Sequence, residues 1–235
     1  SIGLIMAILN IFAKIQRMSS KSEENYLKTI FKLTRSKKSA TTNRIGELLN
    51  TKASSVTDMI KKLSKKGLVD YTKYQGVSLT ISGQREALMI IRKHRLWECF
   101  LHNSLGFAWD EVHAIAEELE HIDSAELINR LDRYMGFPKH DPHGDPIPDK
   151  DGNLTPLKNL FISDLKVGEL ALVTGIKDTS KDFLIYLKKI KLILGTSIEV
   201  LEKISFDQSV KIRINGSVEL NISDQIGTNV YVKQR

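Results

Sequence analysis

Six side chains of the kinds that bind metals in proteins cluster in the middle of this sequence. They are His94 and Glu98 in one segment and His113, Glu117, Glu120 and His121 in the next. The second segment spaces its residues by three and four positions, so a helix there aligns them along one face. The break Leu-Gly-Phe at 105–107 lets the two segments fold back as neighbouring helices. The pattern therefore requires a helical region with two adjacent faces that carry ligands.

Imidazoles and carboxylates in register on two helices suit a divalent first-row metal ion. The alternative is an ordinary solvated helix face, because glutamates are common on such faces and a histidine can occur there without any role. We favour a metal site, since the six residues fall in register on both helices.

Charge is distributed unevenly along the chain, whose formal net charge is +7. Residues 19–96 contain 17 Lys or Arg and 6 Asp or Glu, whereas residues 97–160 contain 5 and 13. A basic block followed by an acidic block is typical of a module that binds a polyanion next to one that binds cations.

The basic block, residues 19–82, has the pattern of a winged helix-turn-helix domain. Helical periodicity predicts three helices before residue 67, and alternating apolar residues after it predict a small β-hairpin. In such a domain the third helix enters the major groove of DNA. With the apolar face of that helix turned to the core, the residues expected at DNA are Lys52, Ser54, Ser55, Thr57, Asp58, Lys61, Lys62 and, in the hairpin, Lys73.

The remaining chain divides into three parts. Residues 83–137 are predicted to be helical, and residues 138–159, rich in proline and aspartate, are predicted to form a linker. Residues 160–235 show short strands and one helix ending at Gly195, which predicts a small β-barrel or sandwich. Asp141 and His143, like His140, lie in the linker, where such residues more commonly form turns than bind metals. The expected fold class is mainly α with small β elements.

Several other classes of protein find no support. The single cysteine, Cys99, excludes a disulfide framework and, in its apolar context, predicts a buried thiol in a reducing cytosol. The apolar stretch 2–12 is too short to span a bilayer and lacks the features of a signal peptide. Phosphate-cradling glycine motifs and serine-nucleophile motifs are absent, so we assign no catalytic residue.

Three motifs resemble those of a known family. HRLWE (94–98), VHAIAEELEH (112–121) and PHGDPIP (142–148) closely resemble the diphtheria toxin repressor and manganese transport regulator family, and the resemblance extends from about Ser22 to the C-terminus. It implies a winged helix-turn-helix domain, a helical metal-binding and dimerisation domain and a C-terminal SH3-like, FeoA-type domain. It also implies a homodimer in the cytoplasm that binds a palindromic operator when metal is bound and represses metal-uptake genes.

The resemblance also implies two metal sites, residue by residue. His94, Glu98 and His113 match the first site, and Glu117, Glu120 and His121 match three ligands of the second. The fourth ligand comes from the first helix in the family, at the position of Asn25, where other members carry methionine or aspartate. Since some members use a ligand from the third domain, Asp178 is a further candidate. Separately, apolar residues of the helical region are expected to form the dimer interface: Leu96, Trp97, Phe100 and Leu101.

The ligand set contains no thiolate or thioether, which suits Mn(II) and also admits Fe(II). We therefore expect Mn(II) or Fe(II) as the cofactor, double-stranded DNA as the partner, and no membrane partner. Two alternatives stay open. A di-metal carboxylate helical enzyme would use the Glu-x-x-His motif of Glu118 and His121, but the second such motif that it requires is absent. A winged-helix regulator with a degenerate metal site is favoured by the weak amide ligand of Asn25.

Overall fold

The computed structural model describes residues 19–35, 39–72, 76–155 and 160–235, and the chain divides into two compact units, residues 1–91 and 92–235. The predictions for Lys73 and for the apolar stretch 2–12 fall outside the described residues.

The first unit is a winged helix-turn-helix, as predicted. Its helices and strands are α1 (Lys21–Thr34), α2 (Thr42–Leu48), α3 (Ala53–Lys65), β1 (Val69–Thr72) and β2 (Gly76–Leu79). Ser20 starts α1 through a reciprocal capping box with Glu23, and Thr41 caps α2. The apolar faces of the helices share one buried core, in which Leu27 of α1 and Ile60 of α3 are fully enclosed. The two strands pair antiparallel as the wing.

A long helix, α4 (Ile81–Asn103), contributes to both units, and α5 (Val112–Leu119) and α6 (Ala125–Tyr134) follow it. The second unit buries Leu96, Trp97 and Leu101 in a helical core with residues of α5 and α6, and Phe100 packs against it. Leu96, Trp97 and Leu101 therefore fill the core of a single chain, and the expectation that the dimer is built from this helical region stays a prediction. No helix among the described ranges is long and apolar enough to cross a bilayer.

The β-rich part of the second unit is one antiparallel sheet with the strand order β3-β8-β4-β5-β6-β7. The strands are β3 (Leu160–Phe161), β4 (Leu170–Ile176), β5 (Ser197–Lys203), β6 (Val210–Ile214), β7 (Val218–Ile222) and β8 (Val230–Gln234), with a 3-10 turn at Ile162–Asp164 and helices α7 (Lys181–Lys189) and α8 (Asp224–Gly227). Among the described residues β3 and β7 are unpaired edges, so the sheet is not closed and the predicted barrel is not confirmed. Trp109, from the connection between α4 and α5, is buried in the core of this sheet.

The described part of the predicted linker, residues 138–155, is folded into the second unit. The Asp141 carboxylate accepts hydrogen bonds from the backbone N–H groups of His143 at 2.8 Å and Asp145 at 3.0 Å, which closes a tight turn. Ile176 of β4 donates its backbone N–H to the His143 carbonyl at 2.9 Å. The turn is therefore fixed against the sheet.

Candidate metal centre

His94 and Glu98 of α4 meet His113 of α5 at one point. His94 Nε2 lies 3.0 Å from Glu98 Oε1 and 3.0 Å from His113 Nδ1, and His113 Nδ1 lies 3.1 Å from Glu98 Oε1. His94 and Glu98 are buried, whereas 48% of the His113 side chain is exposed. The triangle is therefore open to solvent on the His113 side.

The triangle has the dimensions of a metal-binding face. Neighbouring ligands of an octahedral ion, each about 2.1 Å from the metal, are about 3.0 Å apart, and such metal–ligand distances are typical of divalent ions bound by oxygen or imidazole nitrogen. The three edges here measure 3.0, 3.0 and 3.1 Å. Three lone-pair donors at this spacing need a proton or a cation between them. A divalent ion satisfies all three at once.

Glu120 supports this triangle from behind. It is fully buried, and its Oε2 accepts a hydrogen bond from His94 Nδ1 at 2.6 Å. Because an ionised carboxylate can only accept, Nδ1 carries a proton, and Nε2 is the nitrogen that faces Glu98 and His113. Nε2 donates to Glu98 when the ring is protonated and would offer its lone pair to a metal ion when the ring is neutral. A carboxylate behind a ligating imidazole fixes the tautomer and raises the basicity of the ligand. The structure thus joins Glu120 to the first predicted site, although the sequence grouped it with the second.

The other members of the second predicted set lie less close together. His113 Nε2 is 3.8 Å from Glu117 Oε1, and His121 Nε2 is 3.8 Å from Glu120 Oε1. Helix α5 ends at Leu119 with Glu120 as its C-cap, so the expected single helical stripe stops before its last two ligands. Asn25 is partly buried on α1 in the first unit, and its role as a ligand stays a prediction.

A second group of ligand atoms shares Glu98. His143 Nδ1 lies 3.8 Å from Glu98 Oε2 and 3.9 Å from Asp141 Oδ1, and all three residues are buried. Glu98 therefore directs Oε1 to the triangle and Oε2 to this group. The sequence interpretation gave Asp141 and His143 a turn role only. The structure adds a second possible use, because their side chains also form a group that could hold a metal ion, and the signal that could have revealed it was their place in the PHGDPIP motif.

The backbone of Trp109 sets the tautomer of His143. His143 Nε2 donates a hydrogen bond to the Trp109 carbonyl at 2.8 Å. In the neutral form of the ring, this bond leaves the lone pair of Nδ1 facing Glu98 and Asp141. This is the protonation state that a metal ligand requires.

The two carboxyl groups of this second group have pKa values shifted in opposite directions. Burial alone would raise the pKa of Glu98, but hydrogen bonds from His113 and His94 hold it well below its usual range. Burial and the charges of Glu98 and Asp145 raise the pKa of Asp141, against the opposing charge of Arg95. The enclosed site therefore disfavours a full set of negative charges, which a divalent cation would offset.

The nearby thiol does not belong to the ligand set. Burial, with the charges of Asp141 and Glu98, raises the pKa of Cys99 to about 12, so the thiol stays protonated. Its Sγ lies 3.4 Å from the His140 carbonyl oxygen.

Asp178, the candidate from the third domain, accepts a hydrogen bond from the Ser180 N–H at 2.9 Å. The donors that do converge are nitrogen and oxygen only, a set that suits Mn(II) or Fe(II).

The residues predicted to contact DNA lie on or next to α3. Lys52 is its N-cap residue, and those exposed along it are Ser54, Ser55, Asp58, Lys61 and Lys62, with Thr57 partly buried. Lys62 Nζ lies 3.3 Å from the buried Glu23 Oε1 of α1, and Lys61 Nζ lies 3.9 Å from Asp58 Oδ1. The structure thus presents a polar and basic helix surface, with Lys62 partly engaged within the unit.

Three family models match the chain in succession. Residues 18–77 match the iron-dependent repressor N-terminal DNA-binding domain, residues 80–149 the iron-dependent repressor metal-binding and dimerisation domain, and residues 162–234 the FeoA domain. Together the three matches cover most of both units, including the β-rich part of the second unit.

Individual proteins agree with these models. The iron-dependent repressor IdeR of Mycobacterium leprae is 34% identical over 125 residues, which are 53% of this chain and 54% of IdeR, so the chain spans about half the length of that relative. The regulator MntR of Oceanobacillus iheyensis is 34% identical over 53% of this chain and 84% of its own length. A solved manganese-dependent transcriptional repressor in complex with manganese has a TM-score of 0.81 at 34% identity, covering 91% of this chain and 100% of the other. The chain therefore belongs to the diphtheria toxin repressor and manganese transport regulator family of metal-dependent transcriptional repressors.

Proposed function

We propose that this protein is a transcriptional repressor that binds DNA when Mn(II) or Fe(II) occupies the centre around Glu98. The observation that carries the proposal is that the two oxygens of one buried carboxylate face two groups of nitrogen and oxygen ligands. The residues proposed to hold metal are His94, Glu98, His113, Asp141 and His143, with Glu117, Glu120, His121 and Asn25 for a further ion.

A bound ion supplies positive charge and fixed geometry in this centre. It would offset the charges of Glu98 and Asp141 and hold α4, α5 and the turn at Asp141 together. Such an ion raises DNA affinity only as far as it binds the DNA-competent conformation more tightly than other conformations. Nitrogen and oxygen donors without sulfur favour Mn(II) over softer metal ions.

DNA recognition falls to α3 and the wing in this proposal. Lys52, Ser54 and Asp58 at the N-terminal part of α3 would face the base edges, and the lysines further along would contact phosphates. A homodimer implies a palindromic operator, because each protomer presents the same helix. The exposed apolar residues of the helical region are candidates for the dimer interface: Leu105, Phe107, Ile122, Leu127, Tyr134 and Phe137. A repressor of this kind would act in the cytoplasm, and the proposed function needs no catalytic residue.

Selection from a random duplex library in excess Mn(II) would supply an operator, and fluorescence anisotropy would then measure its affinity with Mn(II), with Fe(II) and with chelator. We expect tight binding only with metal. Glu98→Gln should abolish the metal effect, whereas Glu118→Gln, a matched change at an exposed position of α5, should preserve it.

Two other outcomes would support the alternative functions. Equal affinity in metal and in chelator, with no metal bound, would support a regulator with a degenerate site. Tight metal binding without any selected DNA would support the di-metal enzyme. Either result would refute the proposed function.

A further inference from the structure

Arg95 directs its whole guanidinium at the turn that carries two of the proposed ligands. It lies on α4 next to His94, and its side chain is 10% exposed. Nη1 donates to the Pro146 carbonyl at 2.5 Å, and Nη2 donates to Asp145 Oδ2 at 2.9 Å. Nε lies 3.5 Å from Asp141 Oδ2. One rigid fork therefore contacts the beginning and the end of the turn.

The two carboxylate oxygens of Asp141 have different partners. Oδ2 faces Arg95, while Oδ1 closes the turn and lies 3.9 Å from His143 Nδ1. Contacts within the chain thus hold Oδ1 on the side of Glu98 and His143. A carboxylate that is already oriented loses less conformational freedom when an ion binds.

The charges around the turn are a second reason to assign this role to Arg95. Glu98, Asp141 and Asp145 place up to three negative charges near one another, two of them deeply buried. Buried like charges are costly unless they are paired. One guanidinium and one divalent ion together balance three carboxylates. Arg95 therefore supplies the part of the compensation that is present before the metal arrives.

We propose that Arg95 is a positioning residue for the metal centre, which holds the Asp141–Pro146 turn and the Asp141 carboxylate in ligand geometry before metal binds. This inference rests on the proposed function, because it assumes that Glu98, Asp141 and His143 bind an ion. Arg95 does not contact the ion in this proposal and acts through Asp141.

Arg92 provides a matched control on the same helix. It is 5% exposed, donates to the Pro148 carbonyl at 2.8 Å and pairs with Asp132 Oδ2 at 2.5 Å. It therefore holds the chain just beyond the turn with the same kinds of bond that Arg95 makes. These contacts include neither Asp141 nor His143. Loss of Arg92 should loosen the segment without releasing the ligand.

The test is calorimetric titration of the full chain with Mn(II). Asp141→Asn identifies the binding event that depends on the turn. Arg95→Lys should weaken that event by about 10–100-fold, the range typical of residues that support metal ligands, and Arg92→Lys should weaken it by less than about threefold. Urea unfolding of the metal-free variants should show similar losses of stability for the two arginine changes. In an Asp141→Asn background, Arg95→Lys should change Mn(II) affinity no further.

Equal weakening by Arg92→Lys and Arg95→Lys, or no weakening by Arg95→Lys, would overturn the inference. Should Arg95→Lys fail to fold, Asp145→Asn removes one anchor of the fork at a side chain that is 33% exposed and should give a smaller loss of affinity in the same event. Unchanged affinity in Asp145→Asn would then overturn it. Failure of the proposed function looks different, since the wild-type chain itself would bind no Mn(II) or would bind DNA equally without it.

Discussion

Gly144 offers a direct test of how closely the ligand turn is pressed against the sheet. Its φ is +87°, and a Cβ added to it would lie 2.1 Å from the Thr174 carbonyl oxygen and 2.5 Å from the Gly175 Cα. Both atoms belong to the backbone of β4, which cannot rotate away as a side chain can. Gly144→Ala must therefore move the turn off the strand.

The expected cost has two parts. The left-handed backbone conformation costs an alanine about 1–2 kcal/mol. Separating the turn from β4 also breaks the bond from the Ile176 N–H to the His143 carbonyl and leaves a buried donor without a partner, which costs about 1–3 kcal/mol. The free energy of unfolding should thus fall by about 2–5 kcal/mol, which a protein of ordinary stability can survive.

Gly106→Ala is the control, because Gly106 has a φ of +74° but no atom within 4 Å of an added Cβ. Only the conformational part, about 1–2 kcal/mol, applies there. Urea unfolding should separate the two variants, and calorimetry should show weaker Mn(II) binding in Gly144→Ala alone, because His143 moves with the turn. Equal unfolding free energies and equal Mn(II) affinities in the two variants would refute the reasoning.

Three further predictions concern single side chains. Glu120→Ala should weaken Mn(II) binding at the His94 triangle because it removes the acceptor of His94 Nδ1, whereas His121→Ala should leave that triangle unchanged; calorimetry checks this, and equal effects would contradict it. Asn25→Asp should raise Mn(II) affinity in the same titration, since a charged oxygen replaces a neutral one, and unchanged affinity would show that Asn25 is not a ligand. Burial opposes the ionisation of Glu23, yet bonds from Lys66 and the Ser20 N–H lower its pKa below the usual 4.5. The stability it contributes is therefore present above that pH and is lost as the pH falls through the lowered value, so the difference in unfolding free energy between wild type and Glu23→Gln should shrink in acid.

Helices with strong periodicity and clear caps were predictable from the sequence. The serine before α1 and the glutamate three residues later form the capping box that such a spacing favours. The helix expected to reach Gly195 ends instead at Lys189, because Lys191 adopts a φ of +59° and the chain turns so that Leu192 is buried. An apolar run continues past such a turn unchanged, so periodicity alone does not mark the end.

The cluster of six ligand residues was predictable because its members repeat at helical spacing on two segments, and the family resemblance grouped His94, Glu98 and His113 into one site. The group at Asp141 was not, since turn-forming and metal-binding uses of Asp and His look alike in a sequence. What separates them is tertiary: Arg95 reaches Asp141 from α4, and the Trp109 carbonyl fixes the His143 tautomer. Trp109 itself is buried in the core of a sheet whose strands lie at least 50 residues further along the chain, and no local pattern encodes that contact.

If both ligand groups bind metal as proposed, their occupancies should be coupled, because the groups share the Glu98 carboxylate. Glu98 Oε1 is 3.0 Å from His94 Nε2, and its Oε2 is 3.8 Å from His143 Nδ1. An ion on one side would draw electron density from the whole carboxylate, so a second ion on the other side would meet a weaker ligand. His94 extends the same linkage, since its Nδ1–H bond to Glu120 ties the triangle to a residue of the other predicted set. A change at Glu98 should therefore affect both groups directly, whereas a change at Asp141 should affect one group directly and the other only through Glu98. Glu98 is therefore the residue through which metal binding at one group should change the metal affinity of the other.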